Sequence, residues 1–311
     1  MFRPLLAPNV DPMGYANFFT DIKYPQMVSP KLDGIRSANR GEGMLSRSLK
    51  FLPNIHMQNI FGDKCLFLDG ELIEGNDKDS DVYNRTQSVI MSKDKDASNV
   101  TFHVFDYVAD MWLDASFLER HNRAILAVET INSSYPLLKV KIVPHKMVHN
   151  LEELLAFENE CLEMGYEGIM GRSPSGMYKT NARCTWKEGI IFKLKRFKDE
   201  EGEIVGFVER MENTNEKQTN ELGRSFRSDT KDAKNPLGMI GKFLVETVDY
   251  GIIEVGPGKF KHAELKEMFD NWNNPEQTVN GQLLKYRHFA HGMKDKPRFP
   301  RAIGLRSLLD L

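Results

Sequence analysis

Lys31, Asp33, Gly34 and Arg36 fall within one short run, Lys31-Leu32-Asp33-Gly34-Ile35-Arg36, directly after the apolar Gln26-Met27-Val28 and the pair Ser29-Pro30. A lysine amine becomes a nucleophile only when its ammonium loses a proton, which calls for desolvation or neighbouring positive charge. Arg36 and nearby lysines are candidates to supply that charge. Gly34 permits a tight turn in which backbone approaches a ligand, and the Arg36 guanidinium can fork onto a phosphate or a ribose. The same residues also suit a surface ion pair between Lys31 and Asp33. Deciding between the two depends on whether the chain also supplies a phosphate clamp, a base-stacking aromatic and carboxylates.

Each has a candidate. In Phe192-Lys193-Leu194-Lys195, strand alternation sends Lys193 and Lys195 to one face and Phe192 and Leu194 to the other. Two cations on one face suit a triphosphate, although a solvated lysine face has the same pattern. The same alternation groups Phe105 with Tyr107, and Phe105 is either a platform for a purine or ordinary core. Glu71 and Glu167 each sit beside a glycine at an expected strand boundary, where two carboxylates converging on phosphates would hold Mg²⁺. Arg47 and Arg172 are further phosphate candidates.

The elements that must position these groups are those of a layered α/β domain. Prolines at 4, 8, 12 and 25 mark an extended lead-in with a short helix over 11–20. Strands are expected over 26–28, 64–69, 100–108, 140–143 and 189–195, with a loop over 75–81. Ser116-Phe117-Leu118-Glu119 is a capping box opening a helix through Ile131, and Asn150-Leu151-Glu152-Glu153 opens another that stops at Gly165. The first domain covers 1–199. The charged run Asp199-Glu200-Glu201-Gly202-Glu203 reads as a hinge, and 200–311 as a second domain. There, strands over 204–209, 242–248, 252–255, 283–291 and 302–305, with a helix over 262–272, predict a five-stranded barrel. The polar stretch 212–235 lacks apolar periodicity and reads by itself as a surface loop.

With 311 residues, an ordinary apolar fraction of 41% and a net charge of -2, the chain is globular and not uniformly basic. Neither a cationic-apolar leader nor a membrane-length apolar run is visible, so a cytoplasmic protein is expected. Cys65, Cys161 and Cys184 are too scattered for a zinc module or a disulfide framework, and are expected to be free thiols.

Taken in order, Lys31-Leu32-Asp33-Gly34-Ile35-Arg36, Ser46-Arg47, Asp69-Gly70-Glu71, Phe105-Asp106-Tyr107, Glu167-Gly168-Ile169-Met170, Lys193-Leu194-Lys195 and Arg298-Phe299-Pro300-Arg301 resemble the motifs of the covalent nucleotidyltransferases. Within that group the chain is similar to the compact ATP-dependent DNA ligases of large DNA viruses and bacteriophages, of the chlorella-virus type. The resemblance runs from about Arg3 to Arg306. It implies an α+β protein: a nucleotidyltransferase (ATP-grasp-like adenylation) domain followed by a C-terminal OB-fold β-barrel, with residues 213–231 as a latch that closes around duplex DNA.

It also implies roles. Lys31 would carry AMP from ATP, Arg36 and Glu71 would hold the ribose, Phe105 would stack on adenine, and Lys193 and Lys195 would grip the α-phosphate. Asp33, Glu71 and Glu167 are the candidates for Mg²⁺, with Mn²⁺ as an alternative. Arg47 and Arg172, with Arg224 and Arg227 of the latch, would contact DNA, and Arg298 would orient the leaving pyrophosphate. The implied partner is nicked duplex DNA, bound by a monomer. Ser29 departs from the pattern, because many ligases carry a glutamate at that position against the adenine amino group. Arg172 likewise replaces a lysine often found after the Glu-Gly motif. An RNA ligase, an mRNA guanylyltransferase and an inactive OB-type nucleic-acid binder are the rival readings.

Overall fold

In a computed structural model of the chain, residues 2–8, 14–180, 183–219, 225–228, 233–289 and 295–306 are described. They fall into two compact units, Met1–Lys195 and Arg196–Leu311.

The first unit runs α1 (Gly14–Asp21), β1 (Gln26–Pro30), β2 (Ile35–Asn39), β3 (Met44–Ser46), α2 (Ile55–Phe61), β4 (Leu68–Glu74), α3 (Val82–Ile90), β5 (Val100–Tyr107), α4 (Phe117–Ser134), β6 (Val140–Ile142), β7 (Lys146–Val148), α5 (Leu151–Glu163), β8 (Ile169–Arg172) and β9 (Ile191–Leu194). Among the described residues these strands form two sheets, ordered β7-β1-β8-β9 and β3-β2-β4-β5-β6. β1 belongs to the first sheet and β2 to the second, so Lys31–Gly34 is where the chain crosses from one to the other.

Each sheet has its own core. Val28, Leu154, Phe157, Ile169, Phe192 and Leu194 seal the first against α5. Met57, Phe61, Leu72, Phe102, Val104, Ala124 and Val128 seal the second against α2 and α4. Burying each such side chain contributes roughly 1.5–3 kcal/mol, which holds the two sheets as fixed walls. The helix starts follow their local chemistry. Ser116 and Glu119 form the reciprocal capping box of α4, and the Asn150 side chain accepts from the Glu153 N–H to open α5. α5 ends just before Gly165, whose φ of +91° stops the helix.

Several sequence expectations are corrected. The strand expected over 64–69 begins at Leu68 and runs on to Glu74, so Glu71 lies inside β4, paired with Arg36 and His103, and not at a boundary. Tyr107 and Phe105 do not share surroundings: the β4–β5 register shifts between Asp69 and Gly70, leaving Phe105 as the extra residue of a bulge. Tyr107 packs near Phe67 and Trp112 instead. The short helices α2 and α3, of 7 and 9 residues, have no counterpart among the sequence expectations. The helix expected over 11–20 is α1, with 11–13 outside the described residues.

The second unit contains β10 (Lys198–Asn213), β11 (Lys217–Thr219), β12 (Ser225–Arg227), β13 (Lys234–Thr247), β14 (Gly251–Val255), α6 (His262–Asp270), β15 (Leu283–Phe289) and β16 (Arg298–Leu305). The five long strands are ordered β14-β13-β10-β15-β16, and the two edges meet at one parallel bridge, Gly256 to Arg301. This is the partly open barrel of an OB-fold, wrapped around Ile204, Phe243, Val245, Leu284 and Tyr286, with α6 adding Leu265. The expected hinge 199–203 is instead the start of β10, paired residue by residue with β15. Its charges are matched across the sheet: Asp199 accepts a forked pair from Arg287 at 2.6 and 3.0 Å, and Glu201 accepts from Arg306 at 2.6 Å. β10 and β13 pair out to Asn213–Lys234, and the polar stretch beyond them contains the small antiparallel pair β11–β12.

Candidate active site

The cleft between the two sheets of the first unit has a volume of about 220 Å³ and is lined by Ser29, Lys31, Arg36, Arg47, Glu71, Phe105, Arg172 and Lys193, together with Leu6, Ala7, His145 and Arg183. Lys31 is placed there by backbone. Its N–H donates to the Gly168 carbonyl at 2.8 Å, continuing the β1–β8 ladder one step past Pro30. The crossing at Gly34 lies against β4 so tightly that a Cβ would come 2.4 Å from the Leu72 carbonyl oxygen. Gly168 is equally constrained: φ is +149°, and a Cβ would sit 2.2 Å from the Leu194 carbonyl oxygen. Those two glycines let the Lys31, Glu167 and Lys195 side chains meet.

Glu167 is 7% exposed and lies between two ammonium groups, pairing with Lys31 through one oxygen and with Lys195 at 3.0 Å through the other. Burial would raise its pKa, but the two lysines overcome burial and hold it down at about 2. For Lys31, burial favours the neutral amine, and Glu167, Glu71 and Asp33 together outweigh it, leaving the pKa raised. The positive surroundings anticipated for Lys31 are thus reversed, and in this form of the site Lys31 is an ammonium. Glu71 is dominated by burial, only partly offset by Lys31 and Arg36, and is pushed up to about 7. Lys193 is lowered to about 8 by burial, with Lys195, Lys31 and Arg183 adding to the effect. Such a group gains most from an incoming anion.

Phe105 is framed by two guanidiniums, Arg36 at 5.3 Å and Arg172 at 5.0 Å from its ring centre. Each arginine is held by its own buried aspartate. Arg36 forks onto Asp69 at 2.9 and 2.6 Å, and Asp69 also accepts from the Tyr178 hydroxyl at 2.7 Å. Arg172 donates to Asp106 at 2.6 Å, and Asp106 takes a second fork from Arg120 at 2.8 and 3.3 Å. Asp69 and Asp106 are direct cross-strand partners. Two carboxylates so placed repel, and the surrounding guanidiniums make the pair tolerable.

Arg172, expected at DNA, is 5% exposed and committed to Asp106, so it is part of the cleft wall. Arg47 is exposed at the cleft and has no ion pair among the described residues. Asp33, Glu167 and Lys195 adjoin Lys31 without lining the cleft. Arg298 opens β16 in the second unit, 5.4 Å from the Phe299 ring, and Phe299 is exposed with a positive φ of 54°. Arg227, in β12, donates to the Asn215 carbonyl, while Arg224 lies outside the described residues. Sequence reading missed Arg183, which reaches the cleft by donating to the Ala7 carbonyl at 2.8 Å, and also Tyr178 and His145. No motif or periodicity marks them.

The carboxylates considered for a metal do not form a ligand set. Among the described residues no group of three His, Cys, Asp or Glu side chains is arranged for an ion. Glu167 is neutralised by two lysines and Glu71 is partly protonated near neutral pH. These donors do not fit a resident metal. Cys65, Cys161 and Cys184 are free and buried, with thiols pushed up by burial to about 12, 12 and 11. No helix among the described residues is long and apolar enough to cross a membrane.

A cleft with one lining carboxylate, six lining cations and an aromatic platform is built for a polyphosphate nucleotide. A lysine at its floor, on an α+β frame joined to an OB unit, defines a nucleotidyltransferase-type ligase fold. Residues 4–189 match the ATP dependent DNA ligase domain, and the chain belongs to that family. In structure the chain is similar to the chlorella virus DNA ligase-adenylate, with 29% identity, 98% of each chain covered and a TM-score of 0.52. It is also similar to a Lig E DNA ligase, with 20% identity, 98% of this chain and 100% of that one covered, and a TM-score of 0.68. The ATP-dependent DNA ligase of bacteriophage T7 in complex with ATP matches at 14% identity, 98% of each chain and a TM-score of 0.50. The last two likenesses concern the fold alone. No curated protein matches the sequence significantly.

Glu71 yields a stability prediction. Its folded pKa, about 7, is raised above the ordinary 4.5, so the folded state loses stability as pH rises between those values. Replacing Glu71 by Gln removes that loss. Denaturant titration should show Glu71→Gln about 2 kcal/mol more stable than the parent at pH 8, with the difference vanishing near pH 4.

Proposed function

We propose that this ATP-dependent DNA ligase seals 3′-hydroxyl/5′-phosphate nicks in duplex DNA during replication, repair or recombination. The observation that carries the reading is the Lys31 ammonium, held by Glu167 at the floor of a cationic cleft beside Phe105. In the first step the neutral Lys31 Nζ attacks the α-phosphorus of ATP. A P–N bond forms, the bond to the β-phosphate oxygen breaks, and pyrophosphate leaves. In the second, the 5′-phosphate oxygen of the nick attacks the same phosphorus and Lys31 recovers its amine. In the third, the 3′-hydroxyl attacks the 5′-phosphorus, giving a phosphodiester and AMP.

The residue roles follow from the resemblance. Phe105 stacks on adenine, Arg36 and Glu71 hold the ribose, and Lys193 and Lys195 hold the α-phosphate. Arg47, exposed at the cleft, meets the nick phosphate. Mg²⁺ or Mn²⁺ enters with ATP as its counter-ion. Residues 1–199 act as the adenylation domain and 200–311 as the OB domain, whose Arg298 orients the departing pyrophosphate. Residues 213–231 form the latch, where Arg224 and Arg227 add sequence-independent, salt-sensitive phosphate contacts. The enzyme works as an intracellular monomer.

Two measurements test this reading. With α-labelled ATP the protein should form a covalent adduct and seal a nicked duplex, whereas NAD should support neither; Lys31→Ala should form no adduct, and an adduct surviving that change identifies a different nucleophile. Deleting 213–231 should weaken nick binding about 10-fold or more in moderate salt, as expected from losing phosphate contacts, while adduct formation persists. Unchanged nick binding would remove the latch from the account.

A further inference from the structure

The connection between β6 and β7 brings His145 into the lining of the cleft that also holds Phe105, Ser29 and Arg172. Its position is tied to that of Phe105. β6 runs parallel to β5 with Ile142 beside Val104, and the Val143 N–H donates to the Val104 carbonyl at 2.7 Å. His145 therefore follows, by two residues, the point at which its segment is bonded to the residue preceding Phe105. The ring is fixed by packing, edge-on to His121 at 4.3 Å and to Phe117 at 5.3 Å between ring centres.

The hydrogen bonding of His145 determines its tautomer. Nδ1 lies 2.9 Å from the Val143 carbonyl oxygen. A carbonyl oxygen only accepts, so Nδ1 carries the proton. Burial keeps the ring neutral, with His121 and Arg172 reinforcing the effect. A neutral imidazole protonated at Nδ1 presents Nε2 as an acceptor. Among the described residues nothing donates to it.

Resting on the nucleotide reading above, we propose that His145 selects adenine, its Nε2 accepting a hydrogen bond from the 6-amino group of a purine stacked on Phe105. Guanine has a carbonyl oxygen at that position and would set acceptor against acceptor. Ser29 cannot make the distinction, because a hydroxyl serves either partner. The chain thus carries a reader of the 6-amino group on the second sheet, where the glutamate two residues before the lysine is missing.

The test compares lysyl-nucleotide formation by the full-length protein with ATP, GTP and purine riboside triphosphate, which is ATP without its 6-amino group. The parent should lose about 10-fold in kcat/KM between ATP and purine riboside triphosphate, most of it in KM, the size expected for one hydrogen bond. His145→Leu should use those two nucleotides equally. His145→Gln, whose amide can accept or donate, should keep the preference for ATP and gain activity with GTP. Because each ratio is measured within one preparation, it does not depend on the fraction folded. Should leucine abolish adducts with every nucleotide, His145→Asn takes its place, and should likewise lose the distinction because the shorter amide cannot reach the amino group. A leucine or asparagine variant that retains the full 10-fold distinction overturns the proposal while leaving the adenylation reading intact. A parent protein that forms no adduct with any nucleotide overturns both.

Discussion

Glu167 holds two lysines at once, and much of the site depends on that arrangement. A carboxylate that is 7% exposed, between Lys31 and Lys195, fixes both ammonium groups and keeps Lys31 protonated. The same contact that positions Lys31 also holds back its chemistry. On the proposed function attack needs the neutral amine, so nucleotide binding would have to weaken the Lys31–Glu167 pair first; Lys193, which lines the cleft within the field of Lys31, Lys195 and Glu167, is the group placed to receive an anion there. The close backbone approaches at Gly34 and Gly168 bring the three side chains together, so the glycines of both motifs serve the ion triad as much as the turns they occupy.

Beneath the aromatic platform lies a second constraint. Asp69 and Asp106 face each other across β4 and β5, fully buried, and each is paired with arginines from distant parts of the chain. The result is a frame in which Arg36, forked onto Asp69, and Arg172, bonded to Asp106, stand near Phe105. Breaking such a buried network by removing one partner is costly, because an unpaired charge is left behind. Its value here lies in geometry: it fixes the cleft wall around Phe105.

What could be read from the sequence was local. The Lys31 run, the alternation at 192–195 and the capping box at Ser116 each express their structure within a few residues, where side-chain spacing follows strand and helix geometry directly. What was misread depends on partners far away. Asp199–Glu203 reads as a hinge because its matching cations, Arg287 and Arg306, come 88 and 105 residues after their partners. The bulge at Phe105 is a property of the β4–β5 register, invisible in either strand alone. Arg172 reads as a DNA contact because the carboxylate that buries it, Asp106, lies on another sheet and far away in sequence. His145 and Arg183 sit in connections with no periodicity, and only the fold brings them to the cleft, as it brings Tyr178 to Asp69.

The claim that Glu167 sets the protonation state of Lys31 can be tested on the ligand-free protein. Trace acylation of Lys31 across a pH series, read by mass spectrometry in the parent and in Glu167→Gln, gives the titration midpoint of this amine directly. The Lys31–Glu167 pair should place the midpoint above that of an ordinary lysine in the parent, with a clear fall in the variant. A midpoint that is the same in both proteins, or higher in the variant, would contradict the claim.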